Sequence, residues 1–244
     1  MDPATRFAPN FTIKRLIDLA GATLGLILFS PVILTVIVAI RFSSRGPILF
    51  SQERTGRHGR IFRIYKFRTM IPATTVDQNR EAREDDPRIT RIGRFLRRSG
   101  LDELPQLVNV LRGEMSLVGP RPLLSWENNL CNPCQSRRLH VQPGLTGLAQ
   151  VRGRNAIPWA QRVEWDVIYV ETRTIRLDLL ILFQTIPTVA FGRNAYDSSH
   201  PRLDAAAPRN RPIRPTEVSM LEPTARFGNA MIAALDHDSL SIAA

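Results

Sequence analysis

The first hydrophobic feature of the chain is a run of 22 residues, Leu19 to Ile40, without a single charge. As one α-helix at ~1.5 Å per residue it would reach roughly 33 Å, about the hydrocarbon thickness of a bilayer. The run is longer than the apolar core of a signal peptide and lacks an A-x-A-like cleavage site. Ser30-Pro31 lies at its middle. Proline removes a backbone donor and clashes with the carbonyl of Ile27, so the helix must kink or break, leaving halves of 11 and 9 residues. The Ser30 hydroxyl is a candidate donor to the freed carbonyls. Arg6, Lys14 and Arg15 precede the run, and Arg41, Arg45, Arg54, Arg57 and Arg60 follow it. The positive-inside rule places both ends on the cytoplasmic side. Two readings stay open on this pattern: a kinked spanning helix, and a hairpin that dips into one leaflet and returns.

Beyond it the period changes. Pro47–Glu53 and Ile61–Phe67 are rich in β-branched and aromatic residues, and the connection Arg54–Gly59 contains two glycines, so the pair predicts a β-hairpin. Phe62, Ile64 and Lys66 share one face of the second strand, with Arg68 following on the same side. Asp85-Asp86-Pro87 reads as the start of a helix with Ile89, Ile92, Phe95 and Leu96 as its apolar stripe. Arg88, Arg91, Arg94, Arg97 and Arg98 crowd the other side, a pattern that suits a membrane surface. Leu104, Leu107, Val108 and Leu111 give a second helical period. Pro105 fits only a first turn, so this helix is expected to begin between Ser99 and Glu103. Glu164–Val170 predicts an amphipathic helix that continues toward Leu177–Ala190, a short apolar run carrying Asp178.

Composition sharpens the picture. The 244 residues are 43 % hydrophobic and 23 % charged, which excludes a wholly disordered chain. A net charge of +11 points to polyanionic partners: nucleic acid, phosphorylated small molecules or an anionic membrane. Residues 193–244 hold six Arg and six Asp or Glu, so the whole surplus lies before them. That tail also carries five of the 18 prolines and reads as a flexible extension, with a short helix expected at Ala230–Leu235. Two cysteines, Cys131 and Cys134, exclude a disulfide-built scaffold and are expected as free thiols. A nucleic-acid-binding domain would need basic residues interleaved with exposed aromatics or a docking motif. Neither is present, so no nucleic-acid partner is expected.

The candidate chemistry is concentrated between Lys66 and Arg154. Asp102 and Glu103, placed at a helix N-terminus, would have their charge stabilised by the dipole and free amides. Adjacent carboxylates beside arginines suit Mg²⁺ binding or attack on phosphorus, and equally suit plain capping. Gly119-Pro120-Arg121-Pro122 is a stiff loop with one charged side chain. Pro143–Gly147 and Gly153-Arg154-Asn155 repeat the mixture of turn and polar residues. Rigid loops of this kind bind phosphate bidentately through arginine.

Taken together, Phe29-Ser30-Pro31, Tyr65–Met70, Leu101–Gln106, Asn109–Ser116, Val118–Pro122, Pro143–Gly147 and Val151–Asn155 resemble, in order and spacing, the bacterial sugar transferases of the monotopic phosphoglycosyl transferase type. The resemblance covers about residues 11–192 and is nearest to the small members consisting of the catalytic domain alone. It implies an α+β fold, mostly helical with a small β-hairpin, carrying a re-entrant helix broken at Ser30 and Pro31 and amphipathic surface helices. It implies an N-terminal membrane segment at 1–45, a catalytic domain at 46–192 and a tail at 193–244.

The implied reaction transfers a sugar 1-phosphate from a UDP-sugar to undecaprenyl phosphate and releases UMP, as the first membrane step of glycan synthesis. In the family an Asp-Glu dyad and Mg²⁺ carry it. This maps onto Asp102 and Glu103, with Asp102 as nucleophile of a covalent sugar-phosphate intermediate and as metal ligand. The family's anion-binding positions map onto Lys66, Arg97, Arg121 and Arg154, and Arg68 joins them from the strand pattern. The implied partners are the UDP-sugar, undecaprenyl phosphate, membrane lipids and other glycan-assembly enzymes. The implied location is the inner membrane, with the catalytic domain facing the cytoplasm. The alternative is a membrane-anchored scaffold of a glycan assembly complex, which would not need both acids of the dyad.

Overall fold

The structure is a computed structural model, and it describes residues 11–71, 86–153 and 157–190. The tail at 193–244, Asp85 and Arg154-Asn155 lie outside the described residues.

The apolar run folds as two helices, α1 (Phe11–Leu28) and α2 (Ser30–Ser43). Together α1 and α2 have the length and apolar content to enter a membrane, and they are bent by 59° at the Ser-Pro break. Among the described residues no single helix is long and apolar enough to cross one. Pro31 occupies the first turn of α2, where a missing N–H costs nothing. The Ser30 hydroxyl donates to the Ile27 carbonyl at 2.8 Å, as the sequence suggested. Ile27 and Leu34, one on each side of the break, are 66 % and 63 % exposed. The opposite faces are buried, Ala22 of α1 in one core cluster and Val36 and Ile40 of α2 in another.

Strands β1 (Leu49–Thr55) and β2 (Ile61–Phe67) form the expected antiparallel hairpin, with Phe50 opposite Lys66 and Thr55 opposite Ile61. Phe62 and Ile64 turn inward onto Ala22, Leu107, Val110 and Met115. The strand ends at Phe67, whose ring packs instead with Val36, Ile40 and Leu96.

Helix α3 (Arg91–Ser99) starts later than the expected Asp85-Asp86-Pro87. Asp86 is engaged by Arg88, and Ile89 forms a bridge with Met70, so neither joins the helix. The Thr90 hydroxyl accepts the Gly93 amide at 2.9 Å and sets the true start. Gly93 is required because a Cβ there would collide with the Thr69 carbonyl. Gly100, at φ 67°, ends the helix in the left-handed region.

A 3₁₀ turn, Leu101–Glu103, follows, and only after Pro105 does α4 (Gln106–Arg112) begin. The expected helix spanning the acidic pair is therefore two elements, with Asp102 and Glu103 in the tight turn ahead of α4. Strand β3 (Ser116–Val118) pairs in parallel with β4 (Gly144–Thr146). Helix α5 (Ser125–Asn128) lies in the connection between these two strands, and α6 (Leu148–Arg152) follows β4. Helix α7 (Trp159–Thr172) and α8 (Ile175–Ala190) are separate rather than continuous. The chain breaks at Arg173, and the Thr174 hydroxyl accepts the Leu177 amide at 3.1 Å to start α8. Cys131 and Cys134 are free thiols, as expected.

A polar cluster ties α1 to this body. Asp18 accepts from the Ser116 hydroxyl at 3.0 Å and the Leu117 amide at 2.9 Å. Lys14 pairs with Asp178 of α8 at 2.7 Å, and the Tyr169 hydroxyl donates to the same carboxylate at 2.7 Å.

Candidate active site

The acidic turn is placed by its neighbours. Gly100 turns the chain back after α3, and the 3₁₀ turn closes through the Glu103 amide on the Gly100 carbonyl. Asp102 is only 9 % exposed. Among the described residues no group donates a hydrogen bond to its carboxylate. Burial is the main force on it and pushes its pKa up to about 6, with the neighbouring Glu103 adding to the rise. Lys66, Arg97 and Arg121 pull it back down by charge.

Glu103 holds two of these cations. Lys66 Nζ lies 2.7 Å from Glu103 Oε1, and Arg121 Nη2 lies 3.3 Å from the same oxygen. Lys66 arrives at the end of the inward face of β2, the face carrying Phe62 and Ile64. Arg121 arrives from the loop after β3. Arg97 lies in the last turn of α3, with its Nε on the Thr69 hydroxyl at 2.9 Å and a further contact to Met70 Sδ at 3.1 Å. Residues far apart in sequence thus converge on one acidic pair.

Arg68 is placed differently. Because β2 ends at Phe67, the alternation that put Arg68 beside Lys66 does not continue. Its guanidinium caps the end of α2, donating to the carbonyls of Ser44 at 2.7 Å and Arg45 at 3.2 Å. Arg154 lies outside the described residues.

Three further groups shape the site. Asn109 is fully buried; its amide nitrogen donates to the Arg63 carbonyl and to Glu114, both at 2.7 Å, and its oxygen accepts the Tyr65 amide at 3.3 Å. It locks β2 to α4 and so fixes Lys66 relative to the acidic turn. Arg138 and Asp166 form a buried ion pair at 2.6 Å, and Arg138 also donates to the Arg121 carbonyl. The sequence held one signal for Asp166: the α7 period Trp159, Val163, Val167, Val170 puts it on the buried stripe, where a lone acid needs a partner.

The two phosphate-type loops pack backbone to backbone. A Cβ on Gly144 would strike the Gly119 amide nitrogen, and one on Gly147 would strike the Gly119 carbonyl. This close approach explains the glycines of both motifs and holds the stem of the Arg121 loop rigid.

The donor set is compatible with Mg²⁺. This ion takes one or two carboxylates and completes its shell with water and substrate phosphates. Asp102 offers a carboxylate that receives no hydrogen bond from the described residues, whereas Glu103 Oε1 is already shared by two cations. Among the described residues no cluster of three or more acidic, histidine or cysteine ligands exists, so a fully protein-bound metal is not built here.

The profile of the family described as bacterial sugar transferase matches residues 9–192. The chain is 44 % identical over 188 residues to the uncharacterized sugar transferase EpsL of Bacillus subtilis, covering 77 % of this chain and 92 % of that protein. It is 40 % identical over 198 residues to the exopolysaccharide production protein ExoY of Rhizobium meliloti, covering 75 % and 88 %. It is 42 % identical over 191 residues to the UDP-glucose:undecaprenyl-phosphate glucose-1-phosphate transferase of Caulobacter vibrioides, covering 75 % and 72 %. The motifs from Ser30-Pro31 to the Arg121 loop all fall within the matched region, and the chain belongs to the bacterial sugar transferase family.

Proposed function

We propose that this chain, a phosphoglycosyl transferase, moves a sugar 1-phosphate from a UDP-sugar to undecaprenyl phosphate by way of a covalent intermediate on Asp102. The observation that carries this reading is a buried carboxylate that receives no hydrogen bond from the described residues and feels the charges of Lys66, Arg97 and Arg121. Such a carboxylate is poorly solvated and therefore reactive once ionised. The name of the Caulobacter relative, a UDP-glucose:undecaprenyl-phosphate glucose-1-phosphate transferase, supports the choice of donor and acceptor.

In the first step an Asp102 carboxylate oxygen attacks the β-phosphorus, and the bond from that phosphorus to the bridging oxygen breaks. UMP leaves with the bridging oxygen, and an aspartyl sugar phosphate remains. In the second step an oxygen of the lipid phosphate attacks the same phosphorus. The bond to Asp102 breaks, the carboxylate is regenerated, and the lipid carries the sugar diphosphate. Lys66 and Arg121, held on Glu103, are positioned to take phosphate charge as it moves toward the leaving nucleotide. Mg²⁺ held by Asp102 together with the donor diphosphate would screen the repulsion between nucleophile and phosphates.

The same reading places the bent α1–α2 pair in one leaflet of the inner membrane, with both ends and the site on the cytoplasmic face. Exposed Leu24, Ile27, Leu34 and Phe95, and Phe183 and Ile186 on α8, supply apolar contacts for that surface. An acceptor phosphate tethered at the interface then meets the nucleophile without leaving the lipid.

The test is the nucleotide released by detergent-purified protein given undecaprenyl phosphate, Mg²⁺ and UDP-sugars one at a time. Lipid-dependent UMP from one donor supports the reading. UDP in its place means glycosyl transfer and overturns attack on phosphorus. No release from any donor favours the scaffold.

A further inference from the structure

The Pro120–Pro122 loop is held at three consecutive carbonyls. The Pro120 carbonyl accepts the Gly144 amide at 2.8 Å. The Arg121 carbonyl accepts the Arg138 guanidinium. The Pro122 carbonyl accepts Arg54 Nη1 at 3.3 Å. Each arginine is backed by a buried acid. Arg138 Nε and Nη2 reach Asp166 Oδ2 at 3.2 and 2.6 Å, and Arg54 lies 3.6 Å from Glu127 Oε2, which also accepts the Leu124 amide at 2.7 Å. The side chains of Arg138 and Asp166 are 1 % and 4 % exposed.

Buried ion pairs of this kind seldom add net stability, because desolvation cancels the attraction. What the pairs do here is geometric. They fix the backbone on both sides of one peptide bond, and the single charged side chain between the two prolines is Arg121. That side chain extends to Glu103, 3.3 Å away. Burial pushes the Asp166 carboxyl up, and Arg138 and the Arg121 amide pull it back.

We propose that Arg138–Asp166, assisted by Arg54–Glu127, are positioning residues that clamp the Arg121 backbone so that its guanidinium stands at the acidic dyad before substrate binds. Preorganisation of a charged group to within a fraction of an ångström is what transition-state stabilisation requires. The functional consequence rests on the phosphoglycosyl transfer proposed above.

The test replaces the pair with apolar residues of similar volume, Arg138→Met with Asp166→Leu, a change that leaves no uncompensated buried charge. The full chain is used in detergent, and folding is checked by melting. In the native background kcat/KM for the donor should fall about tenfold or more, and in an Arg121→Gln background by less than about twofold, because the clamp then has nothing to position. Hydrogen exchange across residues 117–123 should quicken about tenfold in the variant. Equal losses in both backgrounds overturn the proposal, as does unchanged exchange. Arg138→Lys, which keeps the buried charge, gives the same comparison if the paired variant does not fold. Should the native protein release no UMP from any donor, the reading of its function fails separately, and exchange alone still decides whether the clamp exists.

Discussion

Lys66 and Glu103 form an ion pair of 2.7 Å that joins the β-hairpin to the turn holding the buried Asp102. Arg121 shares the same carboxylate oxygen. Glu103 is therefore the residue through which both cations are aligned beside the proposed nucleophile. Glu103→Gln should lower the rate of UMP release by about tenfold or more, since a charge-assisted hydrogen bond is worth about 1.5–3 kcal/mol. Lys66→Met should do the same, and the double variant should lose less than the product of the two. Initial rates for the four proteins decide it, and fully multiplicative losses would show that the residues act independently.

Asp102 carries a conflict between stability and chemistry. Its carboxyl titrates near 3.8 in the unfolded chain and at about 6 in the folded one. Between those values the folded state binds more protons, so stability falls as pH rises through this window and the full cost is present above about 6. Asp102→Asn removes an ionisation penalty on the order of 3 kcal/mol at pH 7.5. The variant should melt several degrees higher than the native protein at pH 7.5 and should lose that advantage near pH 4. Melting curves at the two pH values test it; an equal Tm at pH 7.5 would mean the carboxylate is not destabilised by burial.

The same ionisation should govern turnover. Attack on phosphorus requires the carboxylate, so kcat/KM for the donor should climb with pH through an apparent pKa of about 6 and then level off. A profile flat from pH 5 to pH 8 would remove Asp102 ionisation from the rate.

Asn109 satisfies three backbone or side-chain partners from a fully buried position. Asn109→Leu fills the space but leaves the Arg63 carbonyl and Tyr65 amide without that partner, at about 1–3 kcal/mol each. The expected result is a drop in Tm of several degrees or more, together with weaker donor binding as Lys66 loses its register. A Tm unchanged within a degree would deny Asn109 its structural role.

The bend at Ser30-Pro31 makes a topological prediction. Pro31→Ala restores the missing donor and favours a straight helix across the break, so residues before α1 should become reachable from the opposite side of the membrane. A single reporter cysteine placed before residue 11, labelled with an impermeant reagent in spheroplasts, reads this. Inaccessibility in the native chain with labelling in the variant is expected; labelling of both would favour a spanning helix.

Much of this was legible in the sequence where the signal is local. Ser30 and Pro31 announce their break because a proline inside an apolar run has few structural options. The hairpin follows from alternation and a glycine turn. Lys66, Asp102, Glu103 and Arg121 were brought together only by the family resemblance, since each short motif taken alone suits a plain structural role equally well. Element boundaries were less accessible. The start of α3 depends on Thr90 capping and on Ile89 pairing with Met70, a contact made across a segment of unrelated sequence. Arg68 was misplaced because the strand stops one residue before it. Arg138 and Asp166 pair across 28 residues, and Asn109 reaches the backbone of β2 from more than 40 residues away, links that leave no mark in composition. Only Asp166 and Thr174 carried cues, one as an acid on an apolar stripe and the other as a hydroxyl before a helical run.

The central claim, that Asp102 takes the sugar phosphate covalently, is tested most directly by single-turnover mass spectrometry without lipid. The detergent-purified protein is mixed with its UDP-sugar and Mg²⁺, quenched in acid and digested. The account predicts up to one UMP per protein and a sugar-phosphate adduct on the peptide containing Asp102, discharged by added undecaprenyl phosphate and absent in Asp102→Asn. UMP release that occurs only with lipid present, with no adduct on that peptide at any time, would contradict it.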